Sequence, residues 1–195
     1  FGKGEWMIVE ADESDGSFLR LPHQINIITN IDLEHLDFYQ NEKNLLNAFS
    51  NFVNNLPFYG YSIMCTDNLN LRKLSKKIKT RKIITYSVND KNSDIEIDII
   101  NKTSKSTEFN LKFKKSFSKN IDNYYKFTTT LLGDHNISNA TGAIIAALLV
   151  KIPLSKIKYT LKNFEGVKRR FSFLGKKNKA SIYDDYAHHP SEIKA

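Results

Sequence analysis

Between Ile25 and Val88 the chain alternates short apolar runs with segments whose apolar positions recur at the helical period, and few folds satisfy that alternation. Ile25-Asn26-Ile27-Ile28-Thr29-Asn30 is apolar with a polar end, and Tyr61 to Thr66 and Lys82 to Val88 are of the same kind, so each reads as a buried strand. Leu45, Leu46, Phe49, Phe52, Val53 and Leu56 make one apolar stripe along a helix over 44–56, which Pro57 and Gly60 end. Leu69 to Lys79 reads as a second helix with Lys and Arg on its wet side. Strands joined through helices lie parallel, with the helices covering the sheet. Glu5-Trp6-Met7-Ile8-Val9-Glu10 is a further apolar run ending in carboxylate and predicts one more buried strand.

From Asp94 to Leu132 the period becomes two, in Ile95, Ile97 and Ile99 and again in Phe109, Leu111 and Phe113, which predicts a small antiparallel insert. Ile137 to Ile152 is apolar nearly all round and predicts a buried helix. Leu154, Ile157, Leu161 and Phe164 mark a last amphipathic helix. Gly166-Val167-Lys168-Arg169-Arg170-Phe171 is then a charged joint, and Ala180 to Asp185 reads as a fresh strand. The expected fold class is α/β: a mostly parallel sheet flanked by helices with a small antiparallel insert. A boundary near Phe164 divides residues 1–164 from 165–195.

Composition bounds the function classes. With 41% hydrophobic residues in 195 there is material for one sizeable core, and no low-complexity tract marks a disordered arm. The longest apolar run, Ala143 to Val150, falls well short of the roughly 20 residues a spanning helix needs, so no membrane segment is expected. The single cysteine, Cys65, sits in an apolar stretch and suits a reducing, cytoplasmic compartment. The chain opens on Phe1 with neither initiator methionine nor leader and closes abruptly, so it is expected to be an interior piece of a longer protein. A net charge of +8 invites a nucleic-acid partner, but the lysines are spread along the whole chain, and a basic balance equally suits an anionic small substrate.

Four strings carry chemistry. Glu10-Ala11-Asp12-Glu13-Ser14-Asp15 puts four carboxylates at the expected C-terminal end of a strand, where ligands gather in open α/β sheets; hard oxygen donors there suit magnesium, although such a run alone reads equally as a solvated turn. Asn30 to Asp37 follows another strand and would set His35 on the same rim. Gly133-Asp134-His135-Asn136-Ile137-Ser138-Asn139 opens the apolar helix, where amides hold anions and asparagines read a base or cap the helix. Last, Arg170 in the charged joint has the planar donors that clamp phosphate, and the string Tyr183 to Pro190 adds Asp185, His188 and His189. A surface ion pair for Arg170 and a solvated loop for the histidines are the plain alternatives.

Taken in order, Glu10 to Leu19, Thr29 to Gln40, Asn54 to Gly60, Gly133 to Asn139 and Asp184 to Pro190 resemble the Mur ligases, which build the peptide stem of bacterial cell-wall precursors. The resemblance spans the chain except near 89–130. It implies a central ATP-binding domain over 1–164 and the start of a Rossmann-like C-terminal domain over 165–195. Glu10 falls on the family's first magnesium ligand and His35 on the histidine of its second metal site. Asn136 falls on the adenine-contacting asparagine, with Asn139 in the same string; Arg170 falls on the arginine that reaches the nucleotide and Asp185 on the third-domain aspartate at the ATP site. His188 lies where relatives carry the same Asp-Tyr-Ala-His run and is a further catalytic candidate.

The implied cofactors are ATP and magnesium. Sister ligases use a carbamylated lysine shortly past the metal histidine, but no lysine occurs between Lys43 and Lys73, and this with Asn54 to Gly60 points to the branch that joins L-alanine to UDP-N-acetylmuramate. The family's phosphate-binding loop, Gly-x-x-x-x-Gly-Lys-Ser/Thr, is absent, so this polypeptide alone is expected to be inactive. Alternatives are another Mur-type amide ligase, recycling muropeptides or adding glutamate to folate, and a non-catalytic basic binding domain.

Overall fold

A computed structural model describes residues 2–114, 124–170, 172–187 and 193. The chain divides into two compact units, Phe1–Ser93 and Asp94–Ala195.

In the first unit the strands β1 (Ile25–Ile28), β2 (Tyr61–Cys65) and β3 (Lys82–Ser87) form a parallel ladder in the order β1-β2-β3. Between them run α1 (Leu36–Tyr39), α2 (Glu42–Asn54) and α3 (Leu69–Lys77). Helix α2 begins where Asn41 accepts from the Asn44 amide at 2.9 Å, and it buries Leu45, Ala48, Phe49, Phe52 and Val53, the stripe its sequence predicts. Phe18, in a 3₁₀ turn at Ser17–Arg20, packs its ring 5.4 Å from Phe49 and 4.8 Å from Phe52. Burial of one such ring stabilises by about 2–3 kcal/mol, so this turn is anchored to the α2 face.

Turns at the C-terminal ends of these strands are tied by side chains. Asn68 caps α3 by accepting from the Leu71 amide at 3.1 Å, and its own amide, with that of Asn70, donates to the Ile31 carbonyl at 3.4 and 3.2 Å. The loop leaving β1 is thereby held against the loop leaving β2.

In the second unit β4 (Ile95–Lys102), β5 (Thr107–Phe113) and β6 (Tyr124–Thr129) are antiparallel. Ile95 faces Phe113, Ile97 faces Leu111 and Ile99 faces Phe109, so the period-two residues share one face. The helices α4 (Asp134–Leu149) and α5 (Leu154–Lys162) follow. Lys151, at φ 61°, ends α4, with the Ile152 amide donating to the Ala147 carbonyl at 2.9 Å. Last comes an antiparallel ribbon of β7 (Ser172–Lys177) and β8 (Ala180–Asp184), turning through Asn178 and Lys179, both in the left-handed region.

The α/β class, the parallel strands with flanking helices and the antiparallel insert form as the sequence predicts. Glu5 to Glu10 does not form the predicted buried strand: residues 6–10 pair with no strand among the described residues, and Met7 and Ile8 are 86% and 97% exposed. A parallel strand needs a neighbour for its backbone polar groups and cover on both faces, and this run has neither here. Helix α4 is also less buried than its composition predicts. Ile137, Ala140, Thr141, Gly142, Ile144 and Ile145 are buried, while Ala143 is exposed and residues 146–150 are half-buried.

Candidate functional site

In the first unit the acidic run and His35 meet around one helix turn. His35 is half-buried and caps α1 at φ 56° and ψ 33°, its carbonyl accepting from the amides of Phe38 and Tyr39, each at 3.0 Å. Four residues on, and so on the same helix face, the buried Tyr39 donates its hydroxyl to the Glu13 carbonyl. That bond pins the middle of the acidic loop to the helix that His35 opens.

The electrostatics record the same proximity. The Tyr39 phenol is pushed above its ordinary value, first by burial and then by the charges of Glu13, Asp15 and Asp12. Asp12 is held below the usual carboxylate range, first by hydrogen bonds from Ser14, whose amide donates at 2.8 Å, with a smaller pull from His35. Glu10 is exposed on the unpaired segment entering this loop. Among the described residues no group of three or more His, Cys, Asp or Glu side chains could hold a metal ion by itself. Tyr39 is the residue that sequence reasoning missed; its signal was a tyrosine four positions past His35.

In the second unit the Gly133 string forms the first turns of α4. Gly133 has φ 90°, a backbone conformation that favours glycine whatever the space around it, and the exposed His135 ring folds back to within 2.7 Å of where a Cβ would stand. Asn136 is half-buried and donates its side-chain amide to the Leu132 carbonyl at 2.7 Å. Asn139 is exposed three residues later, on the neighbouring position of the same face. Asp134, in the first turn, pairs with Lys102 at 2.5 Å, both largely exposed.

Arg170 and Asp185 are exposed at the base of the β7–β8 ribbon, and Asp185 accepts from the Ala187 amide at 2.7 Å. His188 lies outside the described residues. The candidates therefore divide by unit: Glu10 and His35 stand in the first, Asn136, Asn139, Arg170 and Asp185 in the second.

Comparison with known proteins places the chain in a family. The sequence matches the Mur ligase middle domain over residues 3–147. A UDP-N-acetylmuramate–L-alanine ligase of Agrobacterium fabrum is 43% identical over 194 residues, covering 100% of this chain and 41% of the relative. One of Rickettsia massiliae is 44% identical over 194 residues, covering 100% and 40%. The chain thus spans about two-fifths of the length of these curated relatives. The crystal structure of a UDP-N-acetylmuramate-alanine ligase from Thermotoga maritima superposes with a TM-score of 0.74 over 94% of this chain and 39% of that one; at 23% identity this is a likeness of fold. No described helix is long and apolar enough to cross a membrane. With the middle-domain match running through both units and most of the sequence, the chain belongs to the Mur ligase family.

Proposed function

We propose that this chain is the central part, with the opening of the C-terminal part, of a cytoplasmic ligase that joins L-alanine to the carboxylate of UDP-N-acetylmuramate, driven by ATP. The observation that carries this reading is 43% identity over 194 residues, without a gap in coverage of this chain, to a relative bearing that activity's name. The site strings lie within that match.

Magnesium fits the donors present. The ion keeps several waters and takes one or two carboxylates beside substrate phosphates, so an exposed Glu10 on the acidic loop that Tyr39 ties to the His35 turn suits it without a closed protein cage. Glu10 and His35 would hold it, and when bound it offsets charge on the transferring phosphoryl group. Tyr39 orients the loop by holding the Glu13 carbonyl. Asn136 and Asn139 would face the adenine, and Arg170 and Asp185 would close on the nucleotide from the C-terminal part; His188 stays a catalytic candidate by its place in the same sequence run.

In the reaction the substrate carboxylate takes the γ-phosphoryl group of ATP, releasing ADP and leaving an acyl phosphate. The alanine amine then attacks the acyl carbon, inorganic phosphate departs and the amine loses a proton. Such chemistry asks a protein chiefly for position and charge. A muropeptide-recycling or folate ligase is less favoured, because the Asn54 to Gly60 string is present and no lysine stands between Lys43 and Lys73.

The test uses the full-length protein with ATP, magnesium and UDP-N-acetylmuramate, offered L-alanine, D-glutamate or an L-Ala-D-Glu-containing tripeptide, with products read by mass spectrometry. The L-alanine adduct alone is expected. A tripeptide adduct in its place would assign the chain to the recycling branch.

A further inference from the structure

We propose that Arg169, the neighbour of the nucleotide-side candidate Arg170, is a positioning residue that clasps the end of β8 and so fixes where Asp185 stands; this rests on the assignment of Arg170 and Asp185 to the nucleotide. Arg169 makes three separate contacts with the two residues that flank Asp185. Its carbonyl accepts from the Tyr186 amide at 2.8 Å. Its guanidinium carbon lies 4.5 Å from the centre of the Tyr186 ring. Its Nε stands 3.9 Å from Asp184 Oδ2. One arginine thus grips residues 184 and 186 while Asp185, between them, is held by its own short turn through the Ala187 amide at 2.7 Å.

Backbone geometry points the same way. Arg169 sits at φ 60°, a region that non-glycine residues avoid and keep only where surrounding contacts over-determine them. The ion pair, being exposed on both sides, would hold little by itself. Stacking on Tyr186 and the backbone hydrogen bond give it a fixed frame, and a planar guanidinium can satisfy ring and carboxylate together where a lysine ammonium cannot. Arg170 follows directly in the chain, so the clasp orders both members of the candidate pair while committing the Arg169 side chain to Tyr186 and Asp184. Arg169 therefore acts through its neighbours.

Steady-state kinetics of the full-length ligase, with ATP and UDP-N-acetylmuramate varied in turn, test this. Arg169→Gly removes the guanidinium and suits the φ of 60°, so it separates loss of the clasp from backbone strain. We expect Arg169→Gly and Tyr186→Leu each to raise KM for ATP by about tenfold while KM for UDP-N-acetylmuramate changes by less than about twofold. The double variant should be no worse than either single one, because both break the same clasp. Arg169→Gly with a wild-type KM for ATP, beside an Arg170→Ala variant that loses ATP affinity, would overturn the clasp and leave the nucleotide assignment standing. Equal rises in both KM values, or additive effects in the double variant, would also overturn it. An Arg170→Ala variant with wild-type ATP affinity would remove the nucleotide assignment and the clasp's role with it.

Discussion

Asp67 fastens the turn after β2 to the one after β3. Its carboxylate accepts from Ser87 Oγ at 2.5 Å, from the Val88 amide at 2.9 Å, and from both the backbone and side-chain amides of Asn89 at 3.0 Å. Burial pushes the carboxyl up, but these donors outweigh it and the group titrates below its ordinary value. A carboxyl depressed in the folded state stabilises above the unfolded pKa of about 3.9, and that stability is lost as pH falls through the lower, folded value. Asp67→Asn should therefore cost about 1.5–3 kcal/mol in urea unfolding at neutral pH, with unchanged slope. The gap from the unsubstituted protein should narrow below about pH 4; an equal gap at both pH values would refute the account. Cys65, beside it, is pushed up to about 11, chiefly by burial. Its thiol should resist a disulfide reagent at pH 8 while the protein is folded and react fully in urea. The sequence showed Cys65 as core but gave no sign of Asp67, because its donors come from the next strand's end and only folding brings them to it.

Elements were the most legible level. Strands β1 to β3 and helices α2 and α3 announced themselves by period, since each buries a face whose pattern is local. The Glu5 to Glu10 run was misread because a buried strand is defined by its neighbours, which its own residues do not specify. Strand β7 was missed since Gly175, Lys176 and Lys177 break its apolar pattern, and the Asn178-Lys179 turn is a weak hairpin signal. Gly60 shows the reverse case, where one residue sets how two elements join. The Tyr61 amide donates to the Gln24 carbonyl at 2.9 Å, and a Cβ on Gly60 would lie 2.6 Å from that oxygen. Gly60→Ala should cost about 1–3 kcal/mol, measured as a fall in the urea midpoint, because backbone rather than a movable side chain must give way.

Over the whole molecule, five short strings and their order made the family readable, whereas geometry did not. Spacing could place His35 at a strand end, but not the Tyr39 hydroxyl on the Glu13 carbonyl. Long-range contacts of that kind come from packing α1 against the acidic loop. The site candidates are divided between two units, and the chain spans about two-fifths of its relatives' length, so the proposed activity is to be assayed on the full-length protein. In the proposed function the acidic loop that Tyr39 ties to the His35 turn holds the metal at the phosphate end of ATP. ATP turnover by the full-length ligase carrying Glu10→Ala, with L-alanine and UDP-N-acetylmuramate saturating and magnesium varied, tests it most directly. Because Glu10 is exposed, its unfolding midpoint should match wild type while kcat falls by on the order of a hundredfold or more, as loss of a ligand should cost at least what loss of a ligand's support does. A wild-type rate with wild-type magnesium dependence would contradict it.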